Sequence, residues 1–293
     1  MVRQLDIVRR GSLGVLFGTL VALVFASSAL AHTGEWAKFN YCPSTNTEVK
    51  KCLYAVTNSG KIILGKKETP IEHPVTLQGG YGKANSETQI AKFYEATNGI
   101  TLSKVKQTVP GGLLGIVPPE KSPALVKLLS KFFFENKITG VEATLELAKP
   151  ASEIQISEYN LLVQEEVALK LPVKVHLENP FLGSSCYVGS SSSPLIWNLT
   201  TGTTAPPGPN TPISGSSGLL ELKEEAQLVE LTGNELVDNA WSAPEASGCG
   251  GILSFLVDPV INGMLGLPAK AGSNTAILKN TINSAASAAV NAH

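Results

Sequence analysis

Few residues in this sequence are suited to acid–base or metal chemistry. Only four histidines occur, His32, His73, His176 and His293, and none stands in an H-E-x-x-H pattern or beside a cysteine at zinc spacing. No metal or cofactor is therefore expected. No G-x-S-x-G elbow is present. Ser103-Lys104-Val105-Lys106 fits S-x-x-K but has no companion motif and reads as coincidence. Gly79-Gly80 and Gly111-Gly112 lead into no Lys-Ser/Thr helix start, which excludes a phosphate loop and leaves turns or bulges. Glu165-Glu166 and Glu224-Glu225 are adjacent pairs, whereas glycoside chemistry needs carboxylates facing each other across a cleft. Sugar sites also favour exposed aromatics, and only Trp36, Trp197 and Trp241 are on offer. Charge is scarce too. Lys and Arg number 23 against 24 acidic residues, so no basic footprint points to nucleic acid.

What is present begins with a leader. Arg3, Arg9 and Arg10 precede an apolar run from about Leu13 to Ala26, and Ala29-Leu30-Ala31 supplies the small residues of a cleavage site. The alternative, an uncleaved anchor helix, is disfavoured because the run falls short of the ~20 residues that a span requires. Residues 1–31 are thus expected to be a signal peptide. The mature chain from His32 would carry 20 basic and 23 acidic side chains, a net charge of −3. No second run reaches spanning length. The expectation is an exported protein, extracellular or in the cell envelope, with 32–293 as a single domain.

Periodicity points to strands. In Val167–Leu177, VALKLPVKVHL, the odd positions are apolar, the two-residue period of a half-buried strand. Pro172 lacks the ladder N–H, which places this strand at an edge or a bulge. Similar alternation marks 141–147, 153–157 and 220–231, and shorter strands fit 61–64 and 74–77. The fold class that follows is mainly β, an antiparallel sandwich or barrel-like domain with one or two short helices. The clearest helix begins at Ser122-Pro123 and groups Leu125, Leu128, Leu129, Phe132 and Phe133 on one face, with Lys127 and Lys131 opposite. That face either packs on the sheet, covers an apolar ligand or lies on a membrane surface. A weaker helix is expected over 275–290, rich in Ala, Asn and Ser. Residues 190–218, crowded with Ser, Thr, Gly and Pro, read as a long mobile loop broken by a short strand at 195–197; an interdomain linker is the alternative. His176 takes the outward phase of its strand.

Four cysteines outside the cytosol suit two bridges. Of the three connectivities, Cys42–Cys52 with Cys186–Cys249 is preferred, since the first pair flanks a Pro-Ser-Thr-Asn turn. Nine intervening residues are too many for a zinc knuckle or a thioredoxin-type site.

Several stretches taken together, among them ITGVEATLELAKPASEI, LPVKVHLENPFLGSSCYVGSSSSP, SGCGGILSFLVDPV and LGLPAKAGSNTAIL, resemble a group of secreted actinobacterial proteins without an assigned activity. The resemblance covers nearly all of the chain after the leader, including the four cysteines. It implies a shared fold and export, and it carries over no functional residue. The functional expectation is a non-enzymatic envelope or extracellular protein that binds a lipid or other hydrophobic ligand in an apolar cleft beneath the Leu125–Phe133 helix. A surface or adhesion module and a hydrolase assembled from distant loops are the competing readings. A Ser and an acid gathered around His73 or His176 would favour the hydrolase.

Overall fold

The computed structural model describes residues 31–114, 120–134, 138–223 and 228–293, with the backbone alone for 114 and 130–134. Residues 1–30, most of the segment expected as a signal peptide, and Glu224-Glu225 lie outside the described residues. Residues 32–293 form one compact unit.

The described strands pair antiparallel throughout. In chain order they are β1 (Lys51–Leu64), β2 (Lys67–Pro70), β3 (Val75–Tyr81), β4 (Ala91–Tyr94), β5 (Lys106–Val109), β6 (Val141–Leu147) and β7 (Gln155–Ile156), then β8 (Leu169–Glu178), β9 (Tyr187–Val188), β10 (Leu195–Leu199), β11 (Leu219–Lys223), β12 (Leu228–Asp238), β13 (Ala246–Ser247) and β14 (Thr275–Ala286). The helices are α1 (Ala124–Phe134), α2 (Glu158–Val163), α3 (Ser254–Leu265) and α4 (Ser287–Ala292). Along the hydrogen-bonded path the order is β11-β12-β14-β1-β3-β4-β7-β8-β6-β5, and the sheet does not close. The hinge is β4: Phe93 and Tyr94 pair with β3, whereas Ala91 and Lys92 pair with β7. The ladder thereby turns over on itself, and its two halves share one core.

The mainly β, disulfide-stapled class read from the sequence is the one observed, and both cysteine pairings are present, Cys42–Cys52 and Cys186–Cys249. The first does not staple a hairpin, however. It ties the turn after a 3-10 segment, Gly34–Phe39, to the start of β1. A satellite core forms there, with Trp36, Phe39 and the bridge packed against Leu228, Ala289 and Val290.

Three local expectations are corrected. First, 275–290 is not one helix: β14 runs to Ala286, and only Ser287–Ala292 is helical. Ala276, Leu278, Asn280 and Ile282 are buried on alternate positions, and β14 is paired with β1 on one side and β12 on the other. Tertiary pairing overrides weak local propensity there. Second, β8 is no edge strand, for β10 and β9 flank one side and β7 and β6 the other. The Pro172 carbonyl accepts from Ala148 N at 3.0 Å, one step beyond the Leu147–Val173 pair of β6 and β8, so the bond that proline cannot return is the one to Ala148 O, just past the end of β6. The loss falls at the end of that ladder, and β8 keeps its other pairings. Third, the short strand expected at 195–197 is present as β10, with Leu195, Trp197 and Leu199 fully buried, but the irregular chain after it is tied down rather than loose, since bridges join Thr200 to Val237, Thr203 to Ser214 and Ser216 to Glu235.

Gly60 is among the glycines that the fold dictates. In β1 the register against β14 shifts between Thr57 and Ser59, and Gly60 follows with φ +136°. A Cβ there would overlap the Ile277 carbonyl oxygen. Opposite, the free end of the second half-sheet is pinned without a ladder. The buried Gln107 side chain of β5 accepts from Glu72 N at 2.9 Å and His73 N at 3.0 Å, and donates to His73 O at 2.7 Å.

Candidate functional site: an apolar cavity under helix α3

Between the half-sheets lies a cavity of about 140 Å³, measured as the room open to the centres of water-sized spheres. The inward positions of β1, β3 and β14 supply Leu53, Ala55, Leu77, Leu278 and Ile282, and those of β6, β8 and β10 supply Ala143, Leu145, Leu171, Val175 and Trp197. Ile261, Met264 and Leu265 of α3 form the roof, beside Leu113 and Leu182. Interiors of folded proteins are close-packed, and voids larger than a water molecule are few. A void this large forfeits about 3 kcal/mol at roughly 24 cal/mol per Å³. Its largely apolar walls disfavour water, and its volume matches one aromatic ring or a short alkyl segment.

Polar groups enter the lining chiefly towards the β1–β2 hairpin. Thr57, Lys67, Thr69, Gln107 and Asn280 contribute there. Asn280 donates to Asn234 Oδ1 at 3.1 Å and accepts from Thr57 Oγ1 at 2.7 Å, and Gln107 is satisfied by its clamp. Burial lowers the ammonium pKa of Lys67 from its ordinary value. Trp197 is different. It is fully buried, and its indole Nε1 finds no acceptor among the described residues.

The roof is held by polar contacts on one side only. The Asp258 carboxylate accepts from Cys249 N at 2.7 Å and Gly248 N at 3.2 Å. Asn262 accepts from Ala246 N at 2.7 Å and donates back to Ala246 O at 3.1 Å. At the C-terminal end the Leu265 carbonyl accepts from Lys66 N at 2.8 Å, and Gly266 caps the helix in the left-handed conformation. The Cys186–Cys249 bridge fixes the loop on which the N-terminal half rests.

The residues singled out in the sequence are distributed otherwise than expected. Leu125, Leu128 and Leu129 of α1 are exposed, and none of them lines the cavity. The side chains of Phe132 and Phe133 lie outside the described residues. α1 starts where Ser122-Pro123 indicates, yet the roof is α3. That helix escapes periodicity because Pro259 interrupts it and because both of its faces are apolar, leaving no contrast to detect.

His176 hydrogen-bonds the Ser184 carbonyl at 3.2 Å and stacks on Tyr187 at 4.4 Å between ring centroids, while His73 offers its backbone to Gln107. Neither meets a serine hydroxyl and an acid in a hydrogen-bonded set among the described residues. No group of three His, Cys, Asp or Glu side chains able to hold a metal occurs among them either. Trp36, Trp197 and Trp241 are all buried.

A second, polar concavity of about 730 Å³ is lined by Asn160, Glu165, Glu166, Lys170, Thr203 and Asp238 among others. Asp238 is its one buried acid. Burial raises the carboxyl pKa, opposed by the amides of Ala240 and Asn198, which donate to it at 2.9 and 2.6 Å. Glu165 and Glu166 are exposed, and their carbonyls both accept from Thr200 Oγ1. The groove therefore has a structural carboxylate and solvated ones, without a paired acid and base. Among the described residues, no helix is long and apolar enough to cross a membrane.

No protein-family model, curated protein or solved structure matches this chain.

Proposed function

We propose that this is an exported binding protein that takes the apolar part of a small lipid or similar hydrophobe between its half-sheets, without catalysing a reaction. The largely apolar cavity of about 140 Å³ carries this reading, because a void costing about 3 kcal/mol is a poor feature of a purely structural core and a good one of a site filled by a ligand. Two oxidised cysteine pairs and the leader-like first 31 residues support export. Binding is driven by the apolar surface removed from water, at roughly 25 cal/mol per Å².

The test is titration of the delipidated protein with a one-ring apolar probe, benzene, followed by calorimetry, alongside Ala143→Phe. Ala143 lines the cavity from β6, so a phenyl ring there occupies the ligand's room. Saturable binding that weakens at least about tenfold in the variant, with the melting temperature kept or raised, is the expected result. If the native protein binds no such probe and releases no lipid on organic extraction, the reading fails.

A further inference from the structure

The outer side of α3 is as apolar as its inner side. Ile252 and Leu253 just before it, and Phe255, Leu256 and Val260 within it, are 95, 50, 71, 58 and 58 % exposed. Pro259 and Gly263 complete that face. The helix's charged and amide side chains, Asp258 and Asn262, are both turned to the protein, where they hold Ala246, Gly248 and Cys249. A helix apolar on every side is ordinarily buried in protein or in lipid, and this one is buried on one side only.

The same end of the molecule collects other exposed apolar groups. Gly250 N donates to Leu182 O at 2.7 Å, which brings α3 beside the loop carrying Phe181, 63 % exposed. In that loop Asn179 accepts from Phe181 N and donates to the carbonyls of Ile138 and Gly140. Thr139 O in turn accepts from Leu113 N, in the 3-10 turn Gly112–Leu114 against which α1 packs. α1 adds exposed Leu125, Val126, Leu128 and Leu129.

We propose that this end of the protein is a docking surface for a lipid bilayer, with α3 and its leading turn as the inserted element. Hydrogen-bonding capacity selects lipid over a protein partner. Protein interfaces carry about one hydrogen bond per 100–200 Å², whereas the outer face of α3 offers no hydrogen-bonding side chain. Charge is compatible with this: Lys127 of α1 is exposed, the exposed Glu120 just before α1 is matched by exposed Lys121, and the sole acid of α3 is committed to backbone amides. A surface without excess negative charge does not repel anionic headgroups. At twelve residues α3 is too short to span, so it lies in the interface with its outer face among the acyl chains. The surface stands on α3's outer face, independently of what fills the cavity beneath it.

Co-sedimentation with phosphatidylcholine vesicles, with and without phosphatidylglycerol, tests this. The native protein is expected to pellet with both. Ile252→Asp combined with Phe255→Asp is expected to reduce the bound fraction at least about tenfold with the melting temperature unchanged, since both side chains are already in solvent. Leu222→Asp on β11, equally exposed at 62 %, is expected to leave binding intact. The proposal is overturned if the native protein pellets with neither vesicle, or if the double variant binds as well as the native protein. It is equally overturned if sedimentation velocity without lipid shows a dimer that the double variant dissociates while vesicles bind nothing; the face would then belong to a second copy of the chain.

Discussion

Removing the two disulfides separately should separate stability from binding. On the chain-entropy account, a bridge closing about ten residues contributes roughly 3 kcal/mol and one closing about sixty roughly 4 kcal/mol. Cys42–Cys52 spans a sequence separation of 10 and Cys186–Cys249 one of 63. The double alanine variant of the first pair should thus lose about 3 kcal/mol and that of the second about 4 kcal/mol in urea unfolding. The larger difference is local. Cys42–Cys52 holds the satellite core against Trp36 and Phe39, on the face of β1 opposite to Leu53, which lines the cavity. Cys249 sits on the loop whose amides Asp258 grips, directly under the roof helix. Loss of the second bridge should therefore weaken the apolar probe's binding severalfold even where the protein remains folded, and loss of the first should leave it unchanged. The reasoning is refuted if both variants lose probe affinity equally, or if the Cys186/Cys249 variant is destabilised by less than about 1 kcal/mol.

Tyr81 provides a pH-dependent test. It is buried, donates to Glu158 and shares a 2.8 Å hydrogen bond with Ser284; burial first, then the Glu158 charge, raises its pKa well above 10.0. Above the unfolded value of about 10, the unfolded chain gives up a proton that the folded one keeps, so this group makes stability fall as pH rises, by up to about 1.4 kcal/mol per pH unit. Tyr81→Phe should flatten that slope in urea midpoints taken between about pH 9.5 and 11.5, and parallel slopes would contradict the assignment. Gly60→Ala places a methyl group against the Ile277 carbonyl at a positive φ, and should cost about 2 kcal/mol or more by thermal or chemical unfolding. A cost within about 0.5 kcal/mol would mean that the bulge relaxes freely.

How far the fold is legible depends on contrast within each segment. β8 alternates Leu169, Leu171, Val173, Val175 and Leu177 with more polar neighbours, so its face is plain from spacing alone. Its central place in the ladder is not, because Pro172 signals an edge unless one knows that its N–H side falls where the β6 ladder ends. β14 presents the reverse problem. Ala276, Leu278, Asn280 and Ile282 do alternate, but an Ala-, Asn- and Ser-rich sequence makes a short helix look equally good, and only pairing on both sides decides the matter. α1 could be found because Ser122-Pro123 marks its start and its two faces differ. α3 could not, having one composition all round. The cavity left no trace in the sequence: Leu, Val and Ala that surround a void are indistinguishable from those that pack against each other.

That indistinguishability raises the question of why the walls do not collapse inward. A void of about 140 Å³ invites relaxation, since each methylene moved into it recovers contact energy. Resistance comes from the rim, not from the apolar lining. On one side Gln107 pins β5 to the β2–β3 connection through three hydrogen bonds, so the half-sheets cannot slide together there. On another, the Cys186–Cys249 bridge, Asp258 and Asn262 fix the inner side of α3, and the Lys66–Leu265 bond fixes its end. A buried hydrogen-bond donor left without its acceptor costs about 1–3 kcal/mol, comparable to the whole gain from closing the void. Collapse would have to break several of these bonds together. The polar residues around the cavity thus act on its contents indirectly, by setting how far apart two apolar walls must stand.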